Sequence, residues 1–352
     1  MSPTYTGKSL WALFEGANPE KKTAHNVEIN EIKTQPDLYR IPPWCSIQKG
    51  ELSDISRSLQ ENSKALQVLR NEATEKAFEE QFTQFIFSSN AIENAGLEYS
   101  ETQRIIRKML ADDKFMVNGV LNWDWLDQNS PFSTKDRIAR REVIQHVRAF
   151  MFLKHALNDS GALTKKTLLK CHNLLTDCIP SEQGLQGYQG KYRTCEMSVG
   201  APLRLREGGE HKPMEPERVE EKMSEWLCEY NEFLQRCQDP VAGASYLKIR
   251  FLDIHPFLDG NGRMSRILFN TLIAKYYPHT LVIFGETLKD QTKYIKSVRE
   301  SIRRRAPGIF AFLALRQAAA SSLQRVAMLT DEEKSTISQR GSIENLKKLR
   351  DC

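Results

Sequence analysis

Apolar positions spaced three and four apart run through most of the chain, and each run predicts an amphipathic helix. Ile55, Leu59, Leu66 and Leu69 mark the first, from near Leu52. Phe82, Phe85, Ile86 and Ile92 mark a second over 75–94, with Gly96 as its stop. Further helices are predicted over 101–127, leading to a connector with Trp123 and Trp125, and over 133–157, 164–175 and 217–235. The last four span 243–254, 261–277 (ended by Pro278), 290–305 and 309–326. The convincing strand material is Tyr192-Arg193-Thr194-Cys195-Glu196-Met197-Ser198-Val199, and a return strand over 210–214 would close a long-tipped hairpin. Many helices against one hairpin predict an all-α fold.

The pattern also divides the chain. Residues 1–60 are weakly patterned and read as an irregular arm, broken at Ile41-Pro42-Pro43-Trp44. A helical region follows over 61–130, then a core over 131–320. The tail over 321–352 is charged, with Thr330 and Glu333 as a capping box.

Composition narrows the class. With 40% hydrophobic and 27% charged residues in 352, the chain is neither a disordered polyelectrolyte nor a miniprotein. The net charge of +5 is too small to imply a nucleic-acid partner by itself. The longest apolar stretches, such as 309–315, fall far short of the roughly 20 residues that cross a bilayer, so no membrane partner is expected. The N-terminus lacks the pattern of a signal peptide. Seven scattered cysteines with no CxxC pair read as reduced thiols in a cytoplasmic or nuclear protein, and argue against structural zinc.

The candidate chemistry lies in His255-Pro256-Phe257-Leu258-Asp259-Gly260-Asn261-Gly262-Arg263-Met264-Ser265-Arg266. Pro256 ends one helix, leaving His255 at its terminus, and Gly260 and Gly262 flank Asn261 where the next begins. Two residues without Cβ atoms at a helix N-terminus, where partial positive charge gathers, make an anion site. Arg263 and Arg266 share a helix face and suit a polyphosphate. Asp259 suits a Mg²⁺ held against the phosphates, and His255 a base near the reacting phosphorus. These residues by themselves point to nucleotidyl or phosphoryl transfer.

The segment matches the signature HPFx(D/E)GNGRxxR and resembles the Fic family of AMP transferases. Gly190-Lys191-Tyr192-Arg193 resembles the GxxR lead into that family's flap, and the helix bearing His172 resembles the one before it. The resemblance spans roughly residues 75–315. It implies the Fic fold, a helical bundle with a small β-hairpin flap. It also implies that His255 deprotonates a Ser, Thr or Tyr hydroxyl of a target protein, steadied by Phe257. Asp259 would bind Mg²⁺, Gly260, Asn261 and Gly262 the α-phosphate of ATP, and Arg263 and Arg266 its β- and γ-phosphates. Tyr294 would meet the adenine; seven positions on, Ser301 stands where relatives often carry Asn. The flap over 194–214, with Arg204, Arg206, Gly208 and Gly209 at its tip, would take an extended target segment.

Ser89-Asn90-Ala91-Ile92-Glu93-Asn94 is the second informative segment. A carboxylate in the last turn of a helix opposes the helix dipole, which a cation partner would explain. The segment resembles the inhibitory motif (S/T)xxxE(G/N) of Fic proteins, which implies that Ser89, Glu93 and Asn94 form a brake. Glu93 would pair with Arg266 and block the γ-phosphate, as in the class with an N-terminal inhibitory helix. In some relatives the same Glu serves AMP removal. The residues leave open a donor of UMP or phosphocholine, a non-catalytic nucleotide-binding module, and a homodimer.

Overall fold

The computed structural model describes residues 32–41, 45, 47–68, 72–111, 134–181, 187–199, 212–277 and 280–327. Their helices are α1 (Glu51–Val68), α2 (Glu72–Ile92), α3 (Tyr99–Ala111), α4 (Thr134–Ser160) and α5 (Lys165–Thr176). After them come α6 (Pro216–Arg236), α7 (Pro240–Ile254), α8 (Asn261–Tyr276), α9 (Leu288–Arg303) and α10 (Gly308–Ala327). Local chemistry sets several of the boundaries. Thr164 caps α5 by accepting from the Thr167 N–H at 3.1 Å. Thr287 and Asp290 form a capping box on α9. Pro240 opens α7 behind Asp239, whose carboxylate accepts from the Ala242 N–H at 3.1 Å.

α8 is the centre of the bundle. Met264, Ile267, Leu268, Phe269, Leu272 and Ile273 are all buried, as are the polar residues between them, so the helix is enclosed on every side. α7 packs along it, with Leu247, Phe251 and Ile254 in the same core, and α2 and α4 also pack against it. The 280–284 segment is tied to it by the Asn270 side chain, which accepts from the Val282 N–H at 2.7 Å and donates to the Val282 carbonyl at 3.1 Å.

The chain before residue 60 is less irregular than its pattern predicts. α1 starts at Glu51, and Ile32, Tyr39, Ile47, Leu52 and Leu59 join the common core. Asp239 gathers the arm: it accepts from the Gln35 N–H at 2.9 Å and from the Tyr39 hydroxyl at 2.7 Å. At the other end, α10 carries Ser321, Ser322 and Leu323 of the expected tail into the interior.

No strand forms among the described residues. The leg over 192–199 runs without a ladder apart from one bridge residue at Val199, and 200–211, with the flap tip, lie outside the described residues. The legs are nonetheless linked, by a Lys212–Glu196 ion pair at 3.3 Å and by Arg193, which donates to carbonyls of both, Cys195 and Met214. At the flap's base a guanidinium thus takes acceptors that strand pairing would use. Leu69, Pro42-Pro43-Trp44, the connector tryptophans, Pro278 and the Thr330 capping box also lie outside the described residues, and the helix expected over 101–127 is described as far as Ala111.

Tyr39→Phe removes a buried hydrogen bond and leaves an Asp239 oxygen short of a partner. It should lower stability by about 1–2 kcal/mol, read as an earlier midpoint in urea with an unchanged slope.

Candidate active site

The loop joining α7 to α8 is built to hold a sharp reversal. His255 adopts a left-handed backbone, φ 52°, and its N–H donates to Phe251 O at 2.9 Å, closing α7. Such a conformation is uncommon for a residue with a Cβ and persists where surrounding structure enforces it. The Asn261 side chain accepts from the Phe257 N–H at 3.0 Å and donates to the Phe257 carbonyl at 2.7 Å. The side chain therefore pins the loop, and the backbone N–H groups are left for the anion role expected of this turn. The N–H groups of Asn261, Gly262 and Arg263 stand in the first turn of α8, where geometry provides no intrahelical acceptor. The Gly260 N–H is covered by the Asp259 carboxylate.

Phe257 is fully buried and stacks on His172 with ring centroids 3.7 Å apart and planes 3° from parallel. His172 Nδ1 accepts from the Gly190 N–H at 2.9 Å, so Nε2 carries the proton and donates to the Asp259 carbonyl at 2.9 Å. Burial pushes this imidazole's pKa down to about 4, and the Arg263 charge adds to the effect. His255 itself is half-buried, at the rim of the loop.

The two arginines of α8 have different partners. Arg266 is almost fully buried. Its Nε donates to Ser89 Oγ at 2.7 Å, and its Nη2 donates to the Ser89 carbonyl at 2.7 Å and to Glu93 Oε1 at 2.6 Å. Its Nη1 reaches the Tyr294 hydroxyl at 3.3 Å. Burial works to raise the Glu93 pKa, but the charge and hydrogen bond of Arg266, with Arg263 and Lys248 beyond, hold it below the usual carboxylate range. A Cβ on Gly262 would fall 2.0 Å from Glu93 Oε1, so that carboxylate lies directly against the glycine. Arg263 lies 3.6 Å from Glu142 and 3.7 Å from Asp259, and its buried Nε and Nη1 make no hydrogen bond. Buried guanidinium donors without acceptors suit an anionic ligand.

The segment bearing Glu93 is a well-formed helix end. Ala95 N–H donates to Asn90 O at 3.0 Å and Asn94 N–H to Ala91 O at 3.1 Å, with Asn94 left-handed at φ 54°. This is the Schellman pattern, with Asn in the position that glycine most often fills. Arg266 is the cation that the carboxylate at this terminus called for, and it also satisfies the Ser89 carbonyl.

Several site residues escaped the sequence reading. Glu142 accepts from the Gly96 N–H at 2.7 Å, and burial raises its pKa. One turn on, the buried His146 pairs through Nδ1 with Asn90 Oδ1 at 3.0 Å. Lys248, also buried, donates to Ser265 Oγ at 2.8 Å, and Ser265 donates to the Gly262 carbonyl at 2.8 Å. Burial and the Arg266 charge hold the Lys248 pKa well below the ordinary lysine value. The available signal was a polar residue interrupting an apolar stripe: Glu142 beside Val143, Lys248 beside Leu247. Tyr294 is packed between Phe284 and Phe310 with its hydroxyl toward Arg266. Ser301 is buried and accepts from the Phe310 N–H at 3.1 Å, capping α10.

Residues 162–273 match the Fic/DOC family. A Fido domain-containing protein of Dictyostelium discoideum is 40% identical over 88 residues, 24% of this chain and 59% of that protein. A protein adenylyltransferase Fic of Drosophila willistoni is 25% identical over 217 residues, 60% of this chain and 36% of that protein. The chain thus spans less than two thirds of either relative. Among solved structures, a Fic domain containing signaling protein from Bacteroides thetaiotaomicron superposes with a TM-score of 0.56 at 19% identity, covering 79% of this chain and 100% of that one. C. elegans Fic-1 does so with a TM-score of 0.56 at 17% identity, covering 82% and 74%. With family match, relatives and fold in agreement, this chain carries a Fic domain. Among the described residues no helix is long and apolar enough to cross a membrane.

Two measurements probe this geometry. Gly262→Ala should displace the Glu93 carboxylate and cost about 1.5–3 kcal/mol, the worth of a hydrogen bond between charged groups. In a Glu93→Gly background most of that cost should vanish in a double-mutant cycle. The second concerns pH. His172 is neutral in the folded chain down to about pH 4, whereas an unfolded histidine takes its proton near pH 6.5. Stability should therefore fall as pH drops through that window, by at most about 1.4 kcal/mol per unit from this group. His172→Gln should flatten the slope there.

Proposed function

We propose that this chain is an autoinhibited protein adenylyltransferase, moving AMP from ATP to Ser, Thr or Tyr hydroxyls of a target protein. The observation that carries the reading is the Glu93 carboxylate lying against Gly262 and bonded to Arg266. An internal anion there covers a helix N-terminus and a buried guanidinium, the two features that favour phosphate.

In this reading the N–H groups at the start of α8 receive the α-phosphate, and Arg263 and Arg266 the two outer phosphates once Glu93 has left. His255 takes the proton of the target hydroxyl. The freed oxygen attacks the α-phosphorus, the bond from that phosphorus to the bridging oxygen breaks, and pyrophosphate departs with the electron pair, steadied by the arginines. The target's extended segment would lie along the 194–214 flap.

Asp259 offers one partly exposed carboxylate, and no group of three or more metal-ligating side chains occurs among the described residues. That donor set fits Mg²⁺, which commonly takes one or two carboxylates and completes its shell with phosphate and water. When bound there, the ion would neutralise phosphate charge. Glu93, whose carboxylate lies against Gly262 at the start of α8, is the residue that would order a water for AMP removal.

The test uses Glu93→Gly protein, Mg²⁺ and labelled ATP. Self-labelling should rise roughly 10- to 100-fold, since a hydrogen bond to a charged group is worth roughly 1.5–3 kcal/mol. His255→Ala or a chelator should abolish it, and mass spectrometry should find added AMP. A parallel reaction with UTP separates a uridylyl donor, because the phosphate grip does not read the base. Labelling that ignores both Glu93→Gly and His255→Ala would overturn the proposal.

A further inference from the structure

Arg193 is buried, and its guanidinium donates to backbone carbonyls. Its Nε donates to the His255 carbonyl at 2.7 Å, Nη1 to Cys195 O at 3.0 Å, and Nη2 to Ile254 O at 3.3 Å and to Met214 O. Its own backbone N–H donates to Pro256 O at 2.8 Å. Three of these acceptors, Ile254, His255 and Pro256, are consecutive residues of the catalytic turn; the other two lie on opposite legs of the flap. One planar cation therefore joins the surface that would receive a target to the residue that would activate its hydroxyl.

The arrangement is specific to a guanidinium. Five N–H donors in a fixed fork address carbonyls in several directions, whereas an ammonium cannot span them with the same geometry. The bond to the His255 carbonyl also acts on a residue in a left-handed backbone, the kind of conformation that relaxes when its restraints are removed. None of these contacts touches the first turn of α8, Arg263 or Arg266.

We infer that Arg193 is a positioning residue that couples the flap to His255, fixing the base relative to the docked hydroxyl while leaving the nucleotide grip untouched. This rests on the transferase reading above. It predicts a separation of effects: loss of Arg193 lowers the rate of transfer and spares ATP binding. A role in stability alone would lower both together, because the flap lead, the loop and α8 share one core.

The experiment places Arg193→Lys and Arg193→Met in the Glu93→Gly chain. It measures ATP affinity by calorimetry, self-labelling at saturating ATP, and the thermal midpoint. ATP affinity should stay within about twofold of the parent, a change of roughly 0.4 kcal/mol. Self-labelling should fall roughly 100-fold in Arg193→Met, the order expected when a reacting group moves by about 1 Å. Arg193→Lys should recover part of the loss. Unchanged labelling in Arg193→Met, or affinity and labelling falling in proportion, overturns the assignment. If Arg193→Met does not fold, Arg193→Lys decides by the same split. If the Glu93→Gly parent binds ATP but does not label itself, the transferase reading fails and this coupling with it. If the parent labels itself and only the split is absent, the coupling alone fails.

Discussion

The buried guanidinium of Arg266 is the contact around which the rest of this molecule is organised. It sits in the first turns of a helix enclosed on all sides, and each of its nitrogens has a partner: Ser89, Glu93 or Tyr294. A charge so far from water is tolerable only with such a set of acceptors. The end of α2, the start of α8 and the ring on α9 are therefore held in one arrangement by one side chain. Of these partners only Glu93 carries a negative charge, so it alone balances the guanidinium.

A second layer holds the first. Glu142 and His146, one turn apart on α4, grip the turn that carries Glu93 through the Gly96 N–H and the Asn90 side chain. Lys248 supports the other side through Ser265 and the Gly262 carbonyl. His172 locks the loop through Gly190 and Asp259 with a single tautomer. These groups are polar and wholly or largely buried, and each is matched to a backbone or side-chain atom of the loop, of α8 or of the turn that carries Glu93.

Much of this was legible in the sequence. Helical periodicity located the start of each described α-helix to within about three residues, because apolar stripes on a bundle are long and regular. The signature loop was legible for a different reason, since it combines glycine, proline and charge at helix ends, where residue choice is dictated by geometry, and the Ser89–Asn94 segment because it sets a carboxylate in the last turn of a helix. The pairing of Glu93 with Arg266 was expected and is present. The second layer was not legible: Glu142, His146 and Lys248 each look like one polar residue on an ordinary helix, and only packing shows that Glu142 meets Gly96 across 46 positions of chain, His146 meets Asn90 across 56, and Lys248 meets Ser265 on the next helix. The Asn261 side chain closes its own loop through Phe257, a role that spacing cannot reveal. The arm was read as irregular because its anchors, Tyr39 and Asp239, are far apart in sequence.

The grip on α2 has a geometric corollary. Arg266 holds Ser89 and Glu93, which share a face because they are four residues apart. Turning that helix by a single residue would swing both away by about 100° and offer the guanidinium Asn90 and Asn94 in their place. Neither replacement bears a charge. Intermediate settings are thus disfavoured, since the register that satisfies the guanidinium is the one that presents Ser89 and Glu93 together.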